Sequence, residues 1–134
     1  MSNLRLSQQE AAQELLNRRK ARRSFADFCG YVAMEEPPAK HHMLICDAVD
    51  QIVDGDLRRV MIMMPPGSAK STYGSVLAPA YILGRLGQKG VITASYGDTL
   101  ATRFGRKTRN LIKSPEYRAL FPNTDLAADS QELS

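Results

Sequence analysis

The sequence predicts an α/β fold on three observations. An apolar run, Val60 to Met64, is bounded by Arg58-Arg59 and Pro65-Pro66 and is hydrophobic on both faces, as a central parallel strand is. It leads into a loop of small residues, Gly67-Ser68-Ala69, and then Lys70-Ser71-Thr72 opens a helical pattern. A second short strand, Val91 to Ser95, follows that helix and precedes another, so the order is helices, then strand–loop–helix–strand–helix.

Each element has its own local reason. Ser7 with Glu10 reads as a capping box, ahead of an apolar stripe of Ala11, Ala12, Leu15 and Leu16. Arg18 to Arg23 holds five cations in six positions. Ser24 with Asp27 repeats the cap pattern, and Phe25, Phe28, Cys29 and Val32 make a face that must be buried. Glu35-Glu36-Pro37-Pro38 stops that helix and reads as a linker. Leu44, Ile45, Ala48, Val49, Ile52 and Val53 carry the next helix, with Gly55 as its stop. The helix after Thr72 runs to Leu83 and should be kinked by Pro79, with Gly84 and Gly87 ending it. Asp98 or Thr99 caps a further helix with Leu100, Phe104, Leu111 and Ile112 on its apolar side. Arg103, Arg106, Lys107, Arg109 and Lys113 lie on the rest of it. Ser114-Pro115 starts a last short helix, Pro122 ends it, and Asn123 to Ser134 reads as a frayed polar tail.

Composition narrows the function classes. The 134 residues are 43% hydrophobic and 24% charged, which argues against a disordered, collagen-like or repeat-built chain. No apolar stretch approaches the ~20 residues of a membrane-spanning helix, and the first ten residues lack the apolar core of a secretory signal. Two cysteines, Cys29 and Cys46, are too few for a disulfide framework and suit a reducing, intracellular setting. A net charge of +4 permits an anionic partner.

The chemistry sits at residues 66–72. The first amides of a helix have no intrahelical partner and carry the positive end of its dipole, so they attract a polyphosphate. Pro66, Gly67, Ser68, Ala69, Lys70, Ser71 and Thr72 are therefore the candidate nucleotide-binding residues. Small residues at 67–69 let the main chain approach the oxygens, Lys70 reaches the β/γ-phosphates, and the Ser71 hydroxyl ligates Mg²⁺. The usual G-x-x-x-x-G-K-[ST] pattern is half met: Met64 and Ala69 stand where the glycines would be, and Gly67 is out of place. If position 69 needs a left-handed backbone, alanine there costs ~1–2 kcal/mol. The alternative for this stretch is a strand-to-helix turn whose lysine is merely solvated. A zinc reading of His41, His42, Cys46 and distant Cys29 is weak, since a structural site needs four ligands.

Residues 37–130 resemble the start of the ATPase domain of phage terminase large subunits. The resemblance is carried in one order by His42 to Ala48, Arg58 to Pro66, Ala69-Lys70-Ser71-Thr72, Ala94 to Gly97, Arg109 to Ile112, and Tyr117 to Pro122. In that family a double proline before the phosphate loop is common and alanine before the lysine is a known variant. The resemblance implies a P-loop NTPase-type three-layer sandwich, incomplete, with an N-terminal helical segment: a basic segment over 1–36 and the first part of an ATPase domain over 37–134. It implies ATP and Mg²⁺ as cofactors, Lys70 as the catalytic lysine, and His42 beside the adenine. The implied partners are double-stranded DNA, a terminase small subunit, a portal and further copies of the chain, in a host bacterial cytoplasm. Many relatives carry a basic residue inside the loop, where this chain has Gly67 and Ser68. Hydrolysis also needs a metal-binding acid and a catalytic glutamate. After Lys70 the acids are Asp98, Glu116, Asp125, Asp129 and Glu132, none directly following a four-residue apolar run. The expectation is therefore nucleotide binding, within an ATP-driven DNA-packaging motor, by a segment that hydrolyses poorly alone. The rival expectations are a small basic DNA-binding or assembly module, an inactive prophage remnant that uses no nucleotide, or an unrelated P-loop kinase or switch protein.

Overall fold

A parallel strand is not self-sufficient, because its amides and carbonyls need neighbours on both sides. The computed structural model describes residues 2–33, 37–87 and 90–124, with side chains from Ser7 onward. Among the described residues there are six α-helices, one π-helical turn and no strand, so the expected α/β three-layer sandwich is overturned. Neither apolar run finds a partner. In 60–64, Ile62 and Met64 lean on the core while Met61 and Met63 are 83% and 82% exposed. Ile92 is 96% exposed and 91–95 is equally irregular. The apolar patterning is real, but one face of 60–64 and all of 92–95 are exposed among the described residues.

The elements are α1 (Ser2–Arg23), α2 (Phe25–Ala33), α3 (Lys40–Asp54), a π-helical turn (Thr72–Leu77), α4 (Ala78–Leu86), α5 (Asp98–Lys113) and α6 (Pro115–Leu120). Helix α1 begins before Ser7, so the Ser7–Glu10 pair lies inside it, and the stripe of Ala11, Ala12, Leu15 and Leu16 is exposed rather than buried. Its C-terminal half holds it to the body. Ala21 is buried, Arg22 Nε donates to Leu120 O at 2.9 Å, and Glu14 accepts from both Arg18 Nε (2.9 Å) and the Tyr31 hydroxyl.

Helix α2 buries the expected face of Phe25, Phe28, Cys29 and Val32. Ser24 Oγ accepts from Asp27 N at 3.4 Å, as the cap pattern asks, and the Phe25 amide is taken by Asp50 Oδ1 of α3 at 3.0 Å. Glu35 and Glu36 of the expected linker, and the tail from Asp125, lie outside the described residues. Helix α3 buries Ile45, Cys46 and Val49 but leaves Leu44 exposed, and it ends at Gly55 with φ 86°, a left-handed stop that suits glycine. Rings of Phe25, Phe28, Tyr81, Tyr117 and Phe121 pack together at the centre, with Phe28 and Tyr81 5.1 Å apart. Residues from both sides of position 36 thus share one core.

Pro79, expected to kink the helix, is preceded by a π-helical turn. It has no amide and its ring crowds the carbonyl four residues back. The turn before it winds as a π-helix, with Ala78 N–H bonding Tyr73 O, and the carbonyl of Ser75 accepts from Thr108 Oγ1 of α5 at 3.4 Å. The helix runs on past Gly84 to Leu86, and Gly87 ends it. Gly97 takes the N-cap place ahead of Asp98, and Ser114 Oγ accepts from Tyr117 N at 3.3 Å to open α6.

Candidate phosphate-binding loop

The loop lies between an extended segment that leans on the core and a helical run from Lys70 through the π-turn into α4. Its backbone is unusual in one respect. Gly67 has φ 79° and Ala69 has φ 58°, and Ala69 is the one non-glycine residue with positive φ among the described residues. Left-handed residues on either side of Ser68 turn the chain sharply, and turns in which successive amides take opposite-handed conformations are how anion-binding nests are built. The alanine holds this conformation at a cost that glycine would not carry.

The side chains fall into two groups. Pro66, Gly67, Ala69, Ser71 and Thr72 are exposed. Lys70 is half-buried at the first helical position and has no hydrogen-bond or ion-pair partner among the described residues. Ser68 is held from below. Its carbonyl oxygen lies 2.8 Å from His42 Nε2, and its hydroxyl oxygen is buried with no hydrogen-bond partner among the described residues.

His42 is placed by α3. It is the third residue after the N-cap Ala39, and its Nδ1 accepts the Ala39 amide at 3.1 Å, the reach-back that Glu or Gln makes in a capping box. A ring whose Nδ1 accepts carries its hydrogen on Nε2, so Nε2 donates to the Ser68 carbonyl. The ring also stacks on Tyr73 of the π-turn, with centroids 4.3 Å apart and planes at 20°. Of the sequence-predicted site residues, the structure thus brings His42 to the loop, against Ser68. Both of its nitrogens face protein groups. Cys46 instead faces Cys29, whose thiol is pushed far up by burial and by donating to Cys46, while that bond lowers Cys46. Among the described residues no three His, Cys, Asp or Glu side chains are grouped to hold a metal.

The basic residues divide as well. Arg18 and Arg22 of α1 have the partners given above, whereas Arg19, Lys20 and Arg23 are exposed. On α5, Arg103, Arg106 and Lys107 are exposed without an ion-pair partner among the described residues. An open groove of about 890 Å³, lined by Glu14, Lys20, Tyr31, Pro38, Met43 and Glu116 among others, lies apart from the loop. Among the described residues no helix is long and apolar enough to cross a membrane.

Sequence reasoning missed Tyr73, Thr108 and Asp50. Tyr73 could have been sought from its place one turn into the helix, and Thr108 from the carbonyl that Pro79 frees. Nothing in the sequence pairs Asp50 with the start of α2. No family model, curated protein or solved structure matches the chain.

Proposed function

We propose that this chain binds the triphosphate of ATP together with Mg²⁺ at residues 66–72. In the complete protein it would serve ATP-driven movement of double-stranded DNA into a viral procapsid, as the resemblance to terminase large subunits implies. The carrying observation is the pair of left-handed residues, Gly67 and Ala69, immediately before a helical run that opens with Lys70, which has no ion-pair partner among the described residues. The amides of such a turn take phosphate oxygens, and the Lys70 ammonium adds a point charge that a capping role would not need. Mg²⁺ characteristically takes few protein ligands and completes its shell with phosphates and water. The exposed Ser71 hydroxyl, one residue after Lys70, fits that role. A terminase small subunit, a portal and further copies of the chain are the partners this reading carries, in a bacterial cytoplasm.

The test is calorimetric titration of the chain with Mg-ATP beside Lys70→Ala. Removing the ammonium should weaken binding by about tenfold or more, the worth of one charge-assisted contact. Equal heats from both proteins would refute the reading.

A second reading is favoured by α5: a basic DNA-binding module that uses no nucleotide. Arg103, Arg106 and Lys107 lie within two turns, exposed, with no acid between them. Its mark would be affinity for duplex DNA that falls with salt, by about 0.9 log unit per log unit of salt for each phosphate neutralised, and is indifferent to Lys70→Ala.

A further inference from the structure

We propose that His42 is a positioning residue that sets the phosphate loop through the Ser68 carbonyl, rather than a contact to the nucleotide base. The inference rests on the nucleotide reading for its consequence and on the His42–Ser68 geometry for its content.

In a trans peptide the carbonyl and the following amide point in opposite directions. His42 Nε2 holds Ser68 O at 2.8 Å. The Ala69 amide is thereby aimed away from His42. Gly67 and Ala69, at φ 79° and 58°, flank this anchored peptide; Pro66 and Gly67 lie in a turn before it, and the Ala69 carbonyl after it accepts the Tyr73 amide at 3.2 Å. The Ser68 hydroxyl gives no competing anchor, being buried and unpartnered. Without the imidazole, the Ser68 carbonyl loses its hydrogen bond, and a left-handed alanine is the residue with most to gain by turning that peptide over. His42 is itself held on two further sides, by the Ala39 amide at 3.1 Å and by the Tyr73 ring. The N-terminus of α3, the loop and the π-turn are therefore joined at one side chain, whose polar atoms are all taken up by protein groups.

Two substitutions separate the ring from its hydrogen bonds. His42→Gln keeps an acceptor for Ala39 N–H and a donor for Ser68 O, since glutamine is an ordinary residue at this position of a capping box. His42→Phe keeps a ring against Tyr73 and loses both bonds. Each is titrated with Mg-ATP and with magnesium tripolyphosphate, which has no base. The expected result is a loss of about tenfold for His42→Phe with both ligands, and of less than about threefold for His42→Gln. A loss confined to ATP would make His42 a base contact and overturn the inference. So would His42→Phe binding both ligands as the parent does, or His42→Gln failing as badly as His42→Phe. Lys70→Ala in the same series keeps the two readings apart, because its having no effect refutes nucleotide binding whatever His42 does. In that event amide hydrogen exchange over 66–73, without ligand, decides the positioning role. Faster exchange in His42→Phe than in His42→Gln or the parent supports it, and equal rates in all three overturn it.

Discussion

Adding one methyl group at Gly84 tests how firmly the aromatic core holds α4, the helix whose other end carries the loop. A Cβ built there would lie 2.4 Å from Phe121 Cδ2 and within 2.7 Å of two more atoms of that ring. Two effects compete. Alanine is favoured over glycine in a helix interior by about 1 kcal/mol. Against that, forcing a methyl into packed surroundings costs about 1–3 kcal/mol. The ring decides which wins: Phe121 is 9% exposed and packs on Tyr117 at 5.4 Å, Phe28 at 6.2 Å and Tyr81 at 6.5 Å, and the side it has to move into is an open groove of about 440 Å³ lined by Gly84, Leu120, Phe121 and Pro122 among others. Gly84→Ala should therefore destabilise by up to about 2 kcal/mol net, the crowding cost less the propensity gain. Gly105→Ala is the control, since Gly105 is helical, exposed and has nothing within 4 Å of its added Cβ. There the propensity gain stands alone and stability should rise by about 0.5–1 kcal/mol. Urea unfolding followed by circular dichroism gives both numbers. In a Phe121→Ala background the Gly84→Ala penalty should vanish, because the two sites share one contact. Gly84→Ala more stable than the parent by the full propensity gain would mean that the Phe121 ring does not hold its place against α4.

Two further outcomes follow from single groups. Ala69→Gly should stabilise by about 0.5–1 kcal/mol in urea unfolding, the relief of a left-handed alanine less the extra freedom glycine has when unfolded, and it should leave Mg-ATP affinity intact or improved. Asp50 has its carboxyl raised, chiefly by burial, although it accepts the Phe25 amide and the Tyr81 hydroxyl. A raised folded value means its contribution is greatest below the ordinary aspartate range and is lost as pH rises through the folded value. Asp50→Asn keeps an acceptor for Phe25 N–H and removes the charge. The difference in unfolding midpoint between parent and variant should thus shift in the variant's favour as pH rises from about 4 to 7. A difference that is flat over that range would show that Asp50 ionises freely.

Much of the helical layer was legible, because it depends on neighbours a few residues apart. The 3.6-residue spacing of Phe25, Phe28, Cys29 and Val32 describes a face that any packed helix would bury, and the structure buries all four. Gly55 and Ser114 were legible for the same local reason, a left-handed stop and a hydroxyl cap. Leu15 and Leu16 show the limit of periodicity: the stripe identifies a helix but not what covers it, and both remain exposed. The strands failed for a stronger version of that reason. Val60–Met64 and Val91–Ser95 have strand composition, but a strand exists only in a ladder, and ladder partners are set by chain far away in sequence. Within the loop, the left-handed backbone at Ala69 followed from the residue pattern as a condition, and φ 58° meets it. The His42–Ser68 contact spans 26 residues and has no sequence signature.

The absence of a sheet among the described residues changes what must hold the loop. In the expected architecture a strand buried on both sides would fix the chain entering residue 66; here 60–64 rests on the core by one face alone. Rigidity has to come from the helical side, and two contacts supply it. Thr108 of α5 takes the carbonyl that Pro79 leaves without an amide, which ties the π-turn to α5. His42 of α3 takes the Ser68 carbonyl and stacks on Tyr73 of that same turn. The turn is thus gripped by α5 at Ser75 and by α3 at Tyr73, and the loop hangs from its N-terminal end. A π-turn is wider than an α-turn and has poorer hydrogen bonds, so it persists only where outside contacts favour it. Loosening either grip should therefore reach the Gly67–Ala69 backbone, even at Thr108, whose hydrogen bond is to Ser75 of the turn.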